Sequence, residues 1–163
     1  MSPTLYPEPL TAEKFAPFGD VIELRGDADK IINQGMCGRH HDLAQLDFGS
    51  GRAGISLFDA KARHFPHELD MMERHPEGSQ AFVPLSAVPM IISVAADENG
   101  KPGKPQVFLS APHQSINIHR NIWHGVLAPL GRAGQYIVVD RIGDTPNLEE
   151  HWFTTPFLVD APN

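Results

Sequence analysis

Several features that mark common protein classes are scarce in this 163-residue chain. Cysteine occurs once, as Cys37, so no disulfide can form within the chain, and a reducing compartment, the cytoplasm, is expected. The longest apolar stretch, residues 88–96, is interrupted by Pro89 and Ser93 and is far too short to span a bilayer. The start of the chain has neither the basic nor the apolar segment of a signal peptide.

Basic residues are also fewer than acidic residues. Thirteen Lys and Arg residues face twenty Asp and Glu residues, which gives a formal net charge of -7. Because nucleic-acid binding depends on clustered basic residues, neither a nucleic acid nor a membrane is an expected partner. A Gly-rich phosphate loop and a Gly-x-Ser-x-Gly nucleophile turn are both missing. A small-molecule ligand remains as the expected partner.

Proline and glycine, in contrast, are abundant, with 15 and 14 residues. Both break helices, so they favour short strands joined by turns. The length fits one domain, residues 1–163. We predict a mostly β fold, a sandwich or barrel of short antiparallel strands, with one short N-terminal helix at 11–18. The predicted strands are 21–24, 31–32, 55–58, 69–75, 81–85, 90–96, 106–109, 116–118, 126–130 and 136–140, followed by an irregular tail with a short helix around 148–151.

The first candidate site segment is residues 73–80, Glu-Arg-His-Pro-Glu-Gly-Ser-Gln. In a strand, Glu73 and His75 project to the same face, and a turn at Pro76 brings Gln80 opposite them. A carboxylate, an imidazole and an amide on one wall suit a divalent metal. The alternative is a surface hairpin with solvated polar groups.

The second segment is residues 117–124, Asn-Ile-His-Arg-Asn-Ile-Trp-His. His119 and His124 could line one cavity across a tight turn, and Arg120 offers a bidentate fork for a carboxylate. Trp123 suits packing in the core or at the barrel mouth better than stacking on a ligand.

Three further residues are weaker candidates for binding a substrate. Arg74 could hold a carboxylate, although strand alternation points it away from Glu73 and His75. His41 lies in a polar group that an exposed loop would explain equally well. Asn33, before Gly35, fits a turn.

Taken together, the segments closely resemble the ureidoglycolate lyase family, in the right order over nearly the whole chain. The resemblance rests on two central motifs and four shorter ones: E-R-H-P-x-G-S-Q-A-F-V-P-L at 73–85, N-I-H-R-N-I-W-H at 117–124, F-x-x-F-G-D-V-I-E at 15–23, I-N-x-G at 32–35, R-x-H-D-L-A at 39–44 and V-D-R at 139–141. It implies a cupin-like β-barrel, usually a homodimer, that releases urea from (S)-ureidoglycolate and leaves glyoxylate in the breakdown of purines through allantoin.

The resemblance also implies a divalent metal, nickel being the ion most associated with the family. Glu73, His75 and Gln80 occupy positions of the first metal-binding motif, and His124 occupies the histidine position of the second. In the mechanism we expect, His119 or His124 removes the substrate's hydroxyl proton. Arg120 or the metal holds its carboxylate, with Arg74, His41, Asn33 and Trp123 as further substrate-binding candidates.

Three other functions stay open from the sequence. One is a metal-dependent cupin dioxygenase or isomerase that acts on another small hydroxy acid. Another is a small-molecule-binding barrel without catalytic activity. The third is an amidohydrolase on the same substrate, which would release ammonia and carbon dioxide in place of urea.

Overall fold

A computed structural model of the protein describes all of residues 1–163. It contains sixteen strands and one short helix. In chain order they are β1 (Thr4–Leu5), β2 (Glu8–Pro9), α1 (Ala12–Phe15), β3 (Gly19–Ile22), β4 (Lys30–Ile32), β5 (Cys37–Arg39), β6 (Arg52–Ala60), β7 (His67–Arg74), β8 (Gln80–Pro84), β9 (Ile91–Ala95), β10 (Asp97–Glu98), β11 (Lys101–Pro102), β12 (Gln106–Leu109), β13 (Ser115–Ile118), β14 (Trp123–His124), β15 (Gly134–Ile142) and β16 (Glu149–Val159).

Most of these strands belong to two sheets. One has seven strands in the order β1-β16-β7-β14-β9-β12-β2, and the other has five in the order β3-β13-β8-β15-β6. The pairs β10–β11 and β4–β5 form separate two-stranded hairpins. The chain is therefore mostly β, as predicted, and its curled sheets are consistent with a cupin-like fold. No helix is long and apolar enough to cross a bilayer.

The main hydrophobic core lies between the two sheets. Val94 and Phe108 reach it from the seven-stranded sheet, and Phe82, Ile116 and Val138 reach it from the five-stranded sheet. A second, smaller cluster contains Trp123, Ile91, Val107 and Val159 from the seven-stranded sheet. Because successive residues of a strand face opposite ways, β9 divides its side chains between the two clusters.

The N-terminal helix is shorter than predicted, but its cap and its buried face are confirmed. The Thr11 side chain accepts a hydrogen bond from the Lys14 backbone amide, which satisfies one of the free donors at the helix start. Phe15 and Phe18 are buried in the main core. Gly19 then starts β3 so close to Asn117 that a Cβ there would clash with the Asn117 carbonyl.

Two predictions about the chain's second half are wrong. Residues 126–130 form no strand of their own and make only isolated bridges, such as Met90 with Pro129. The tail is not irregular and has no helix at 148–151, because β16 pairs with β7 along most of its length. Its register shifts between Trp152 and Phe157, and this interruption hides the alternating pattern in the sequence.

Candidate metal centre and active site

Three potential metal ligands meet on the inner face of the seven-stranded sheet, at one end of the barrel. They are Glu73, His75 and His124, and their ligand atoms all lie within 4.8 Å of one another. Glu73 and His124 are direct partners across the β7–β14 ladder. His75 follows the end of β7, two residues beyond Glu73 and on the same side.

Backbone carbonyls fix the orientation of both imidazole rings. His75 Nδ1 lies 2.8 Å from the Asn147 carbonyl oxygen, and His124 Nδ1 lies 3.1 Å from the Gly125 carbonyl oxygen. Since a carbonyl oxygen can only accept, each Nδ1 carries a hydrogen and donates it. Nε2 of His124 is then the nitrogen through which that ring could bind a metal, whereas His75 Nε2 would have to exchange its contact with Gln80 Oε1 for the metal. Carbonyl partners of this kind commonly orient metal-binding histidines.

His124 is the most deeply buried member of the cluster. Only 2% of the residue is exposed, and its Nε2 has no hydrogen-bond partner although it is buried. Burial, followed by the nearby His75, lowers the pKa of His124 to about 4. The ring is therefore neutral near pH 7, and it presents an unshared electron pair with no protein partner.

Glu73 is the acidic member of the cluster. Burial raises the pKa of its carboxyl group, His75 opposes this, and Glu150 adds to it. A carboxylate held in this way gains from any cation placed beside it. The donor set of two imidazoles and one carboxylate thus fits a divalent transition metal.

Gln80 borders the cluster and connects it to Asp140 on the opposite sheet. Its Oε1 lies 3.0 Å from His75 Nε2, and its Nε2 donates to Asp140 Oδ2 at 3.2 Å. Asp140 and Gln80 are cross-strand partners on β15 and β8, so both side chains turn toward the barrel interior. This places Gln80 opposite Glu73 and His75, as the sequence predicts.

A cavity of about 350 Å³ opens directly onto this wall. That size is within the range typical of small-molecule sites, roughly 300–1,000 Å³. Its lining has apolar walls and titratable groups but no Lys or Arg, and comprises Phe58, Asp59, Ala60, Glu73, Gln80, Phe82, His124, Val126 and Leu127.

His119 and Arg120, the other candidates from the second motif, are not among the residues that line this cavity. Ile116 and Ile118 of β13 point into the core, so Asn117 and His119 point to the outer face of the five-stranded sheet. His119 Nε2 lies 2.9 Å from Asp20 Oδ2. Arg120 lies 3.3 Å from Asp47 and also donates to the Glu77 carbonyl oxygen.

Arg74 and Trp123 lie on the opposite face of the sheet from the metal-ligand cluster. Trp123 is buried in the second hydrophobic cluster, as expected for a packing role, and the Arg74 guanidinium lies 4.5 Å above its ring. Neither residue lines the cavity.

Asn33 and His41 lie on or beside the β4–β5 hairpin, and both are exposed. Asn33 adopts a left-handed backbone with a φ of 54°, which fits its predicted turn role. His41 donates its backbone amide to Asp29 Oδ2 at 2.8 Å. The hairpin pairs with no other strand of the chain.

The sequence reasoning missed the Asn147 carbonyl, which orients His75. No local signal could reveal it, because Asn147 lies 72 positions along the chain in a loop. The inward position of Asp140, in contrast, could have been predicted from the sequence. Asp140 closes an apolar strand in which Tyr136 and Val138 face the core, so alternation places it on the same inner face.

Comparison with known proteins shows the family to which the chain belongs. A sequence profile described as ureidoglycolate lyase matches residues 2–160. The chain belongs to the ureidoglycolate lyase family. It is 61% identical over 155 residues to a ureidoglycolate lyase of Rhodobacter capsulatus, covering 94% of this chain and 96% of that protein.

Other members of the ureidoglycolate lyase family are similar at lower identity. The protein of Rhizobium etli strain CIAT 652 is 49% identical over 156 residues, covering 94% of each chain. That of Agrobacterium fabrum is 46% identical over 157 residues, covering 95% of each chain. Both carry the name ureidoglycolate lyase. The family resemblance inferred from the sequence is confirmed.

Proposed function

We propose that this protein is a ureidoglycolate lyase that cleaves (S)-ureidoglycolate to glyoxylate and urea, in the breakdown of purines through allantoin. Membership of the family supports the reaction. The observation that carries the location of the chemistry is the convergence of Glu73, His75 and His124, of which Glu73 and His124 line the cavity.

The charge of the cavity supports a role for a divalent metal. Ureidoglycolate carries a carboxylate, yet the cavity lining contains Asp59 and Glu73 and no Lys or Arg. An anion placed beside those carboxylates would be repelled unless a cation lay between them. Glu73, His75 and His124 would hold that cation, with Gln80 beside them, and nickel is our first candidate for it.

The cleavage needs two proton movements. The substrate's hydroxyl loses a proton, its O–H electrons form the aldehyde carbonyl, and the C–N bond breaks toward the urea nitrogen, which gains a proton. A bound divalent cation would supply Lewis acidity that favours loss of the hydroxyl proton. The protein must supply the acid and the base.

Among the residues that line the cavity, Glu73 is our candidate for proton transfer, through the carboxylate oxygen that a bound metal would leave free. In the metal-free protein, burial raises the pKa of this carboxyl group. His124 is better suited to binding the metal, since its buried Nε2 has no other partner.

The outer-face position of His119 and Arg120 argues for a structural role in this mechanism. His119 is tied to Asp20, and Arg120 to Asp47. Arg74 and Trp123 are likewise separated from the cavity by the sheet itself. We therefore propose that the chemistry takes place only at the metal-ligand cluster on the inner face of the seven-stranded sheet.

Product identification tests the proposed reaction. Purified protein is incubated with racemic ureidoglycolate, with and without a chelator, and urea, glyoxylate and ammonia are quantified. We expect equimolar urea and glyoxylate, consumption of half the racemate, and loss of activity in chelator that added nickel restores. Ammonia in place of urea would identify an amidohydrolase, and oxygen uptake would identify a dioxygenase. Ligand-dependent thermal stabilisation without any product would identify a binding barrel.

We further propose a cytoplasmic homodimer. β6 is an edge strand of its sheet, yet its outward side chains Ile55 and Leu57 are 76% and 72% exposed. Apolar side chains on an exposed edge favour association, and a second copy is the expected partner in this family. Light scattering should give a dimer for the wild type and a monomer for Leu57→Asp.

A further inference from the structure

Directly behind Glu73 and His124, on the other face of the sheet, lies a second pair of side chains. Arg74 follows Glu73 on β7, and Trp123 precedes His124 on β14. Because Glu73 and His124 are cross-strand partners, alternation places Arg74 and Trp123 together on the opposite face. The guanidinium carbon of Arg74 lies 4.5 Å from the centre of the Trp123 ring, a cation–π contact.

Two carboxylates complete this arrangement, which we call the Arg74 clamp (Arg74, Trp123, Asp97 and Glu149). Arg74 Nη1 donates to Asp97 Oδ1 at 2.8 Å, and Arg74 Nε donates to Glu149 Oε2 at 2.6 Å. Trp123 Nε1 donates to the same Asp97 oxygen at 2.9 Å. The Arg74 side chain is 13% exposed, whereas the side chains of Asp97 and Glu149 are 39% and 49% exposed.

The clamp adds side-chain contacts where the backbone pairing between β14 and β7 is short. β14 has only two residues, and its ladder with β7 consists of the single pair His124 and Glu73. Arg74 links β7 to Glu149 on β16 and to Trp123 on β14. Asp97 ties in the β10–β11 hairpin. Four elements thus converge behind one short strand that carries a candidate metal ligand.

We propose that Arg74 is a positioning residue that sets the separation and orientation of Glu73 and His124 through the clamp. The proposal concerns the geometry of Glu73 and His124. It rests on the proposed function only in assuming that these two residues bind a metal. Removing a group that hydrogen-bonds directly to a metal ligand commonly costs 10- to 100-fold in metal affinity. Arg74 touches neither ligand and acts instead through Trp123, the residue that precedes His124 on β14.

The experiment compares Arg74→Met, Arg74→Lys and Arg132→Met. Methionine keeps an apolar side chain over the Trp123 ring but removes the guanidinium group. Lysine keeps the positive charge but lacks the planar group that holds Asp97 and Glu149 together. Arg132 is an exposed arginine whose only hydrogen bond is to the Ala87 carbonyl oxygen, so it is a matched control. Nickel affinity is measured by calorimetry on chelator-treated protein, and the amide spectrum of residues 123–125 is recorded by NMR without metal.

We expect Arg74→Met to weaken nickel binding at least tenfold, Arg74→Lys to weaken it less, and both to shift the amide resonances of His124 and its neighbours. Arg132→Met should leave both readouts unchanged. Unchanged nickel affinity and unchanged resonances in folded Arg74→Lys would overturn the proposal. So would a raised KM for ureidoglycolate with unaltered nickel affinity, which would make Arg74 a substrate contact.

The spectra decide the positioning role even if the wild type binds no nickel, because they are recorded without metal. Failure of the proposed function is detected separately, as the absence of urea and glyoxylate from wild-type protein.

Discussion

Glu73 and His124 lie directly opposite each other on β7 and β14, and their side chains face the same cavity. The two residues are far apart in the chain and are brought together by a single cross-strand pair. His75 completes the cluster from the end of β7. This relationship turns two separate sequence motifs into one site, and the predictions below depend on it.

Replacing Gln80 by glutamate should strengthen divalent metal binding. The new carboxylate would lie between His75 and Asp140, which Gln80 now contacts. In the metal-free protein it would repel Asp140 and lower stability, and a bound cation would relieve that repulsion. We expect Gln80→Glu to bind nickel about tenfold more tightly, or about 1.4 kcal/mol.

Calorimetry on chelator-treated protein measures this affinity, and the melting temperature with and without nickel gives a second value. Gln135→Glu is a suitable control, since Gln135 is exposed on β15 and lies outside the cavity. Equal or weaker nickel binding by Gln80→Glu would show that residue 80 lies outside the reach of the metal.

Stability in the absence of metal should fall below neutral pH because of His124. Burial and the neighbouring His75 lower its pKa from 6.5 to about 4. The unfolded state therefore takes up the proton first as the pH decreases. The stabilising contribution of neutral His124 is complete above pH 6.5 and is lost as the pH falls toward 4. A shift of this size corresponds to about 3 kcal/mol.

Urea denaturation between pH 7.5 and pH 4, in chelator, measures this dependence. We expect the free energy of unfolding of the wild type to fall more steeply with decreasing pH than that of His124→Asn. Parallel curves for the two proteins would mean that His124 is not buried in a neutral form.

Asp20 should fix the outer segment 43–49 to the sheet. Its Oδ2 accepts from the Gln45 backbone amide at 2.9 Å and from Asn117 Nδ2 at 3.0 Å, besides its contact with His119. Burial raises the pKa of Asp20, but the bonds from Asn117, Gln45 and His119 outweigh it and hold the pKa below 3.8. Removing the carboxylate leaves the buried Asn117 amide short of an acceptor, at a cost of roughly 1–3 kcal/mol.

Asp20→Ala should therefore lower the melting temperature and speed cleavage by thermolysin within 43–49. Asp144→Ala, at an exposed aspartate without a hydrogen bond to its side chain, serves as the control. If both variants were cleaved at the wild-type rate, the segment would be held by something other than Asp20.

The fold class and the grouping of Glu73, His75 and Gln80 follow from short-range patterns. Alternation on β7 predicts that Glu73 and His75 share a face, and the turn after Pro76 predicts that Gln80 meets them. Both are seen in the structure. The same rule applied to 116–119 would have separated His119 from His124, since Ile116 and Ile118 are the apolar, inward residues of β13.

Other features could not be predicted because they depend on contacts between distant segments. The Asn147 carbonyl reaches His75 across 72 positions, and Glu149 reaches Arg74 across 75. The tail that supplies these groups was predicted as irregular with a short helix. Its pairing with β7, not its local composition, makes it a strand.

The most direct test is to compare His124 with His119, which belong to the same sequence motif. His124 lies on the inner face of the seven-stranded sheet, and His119 lies on the outer face of the five-stranded sheet. kcat/KM for ureidoglycolate is measured for His124→Ala and His119→Ala, with folding checked by circular dichroism. We predict a loss of at least about 100-fold for His124→Ala. His119→Ala should stay within about threefold of the wild type, because a residue that acts only through structure leaves the chemistry in place. Near wild-type turnover by His124→Ala, together with a 100-fold loss in His119→Ala, would contradict the assignment of the inner cluster as the active site.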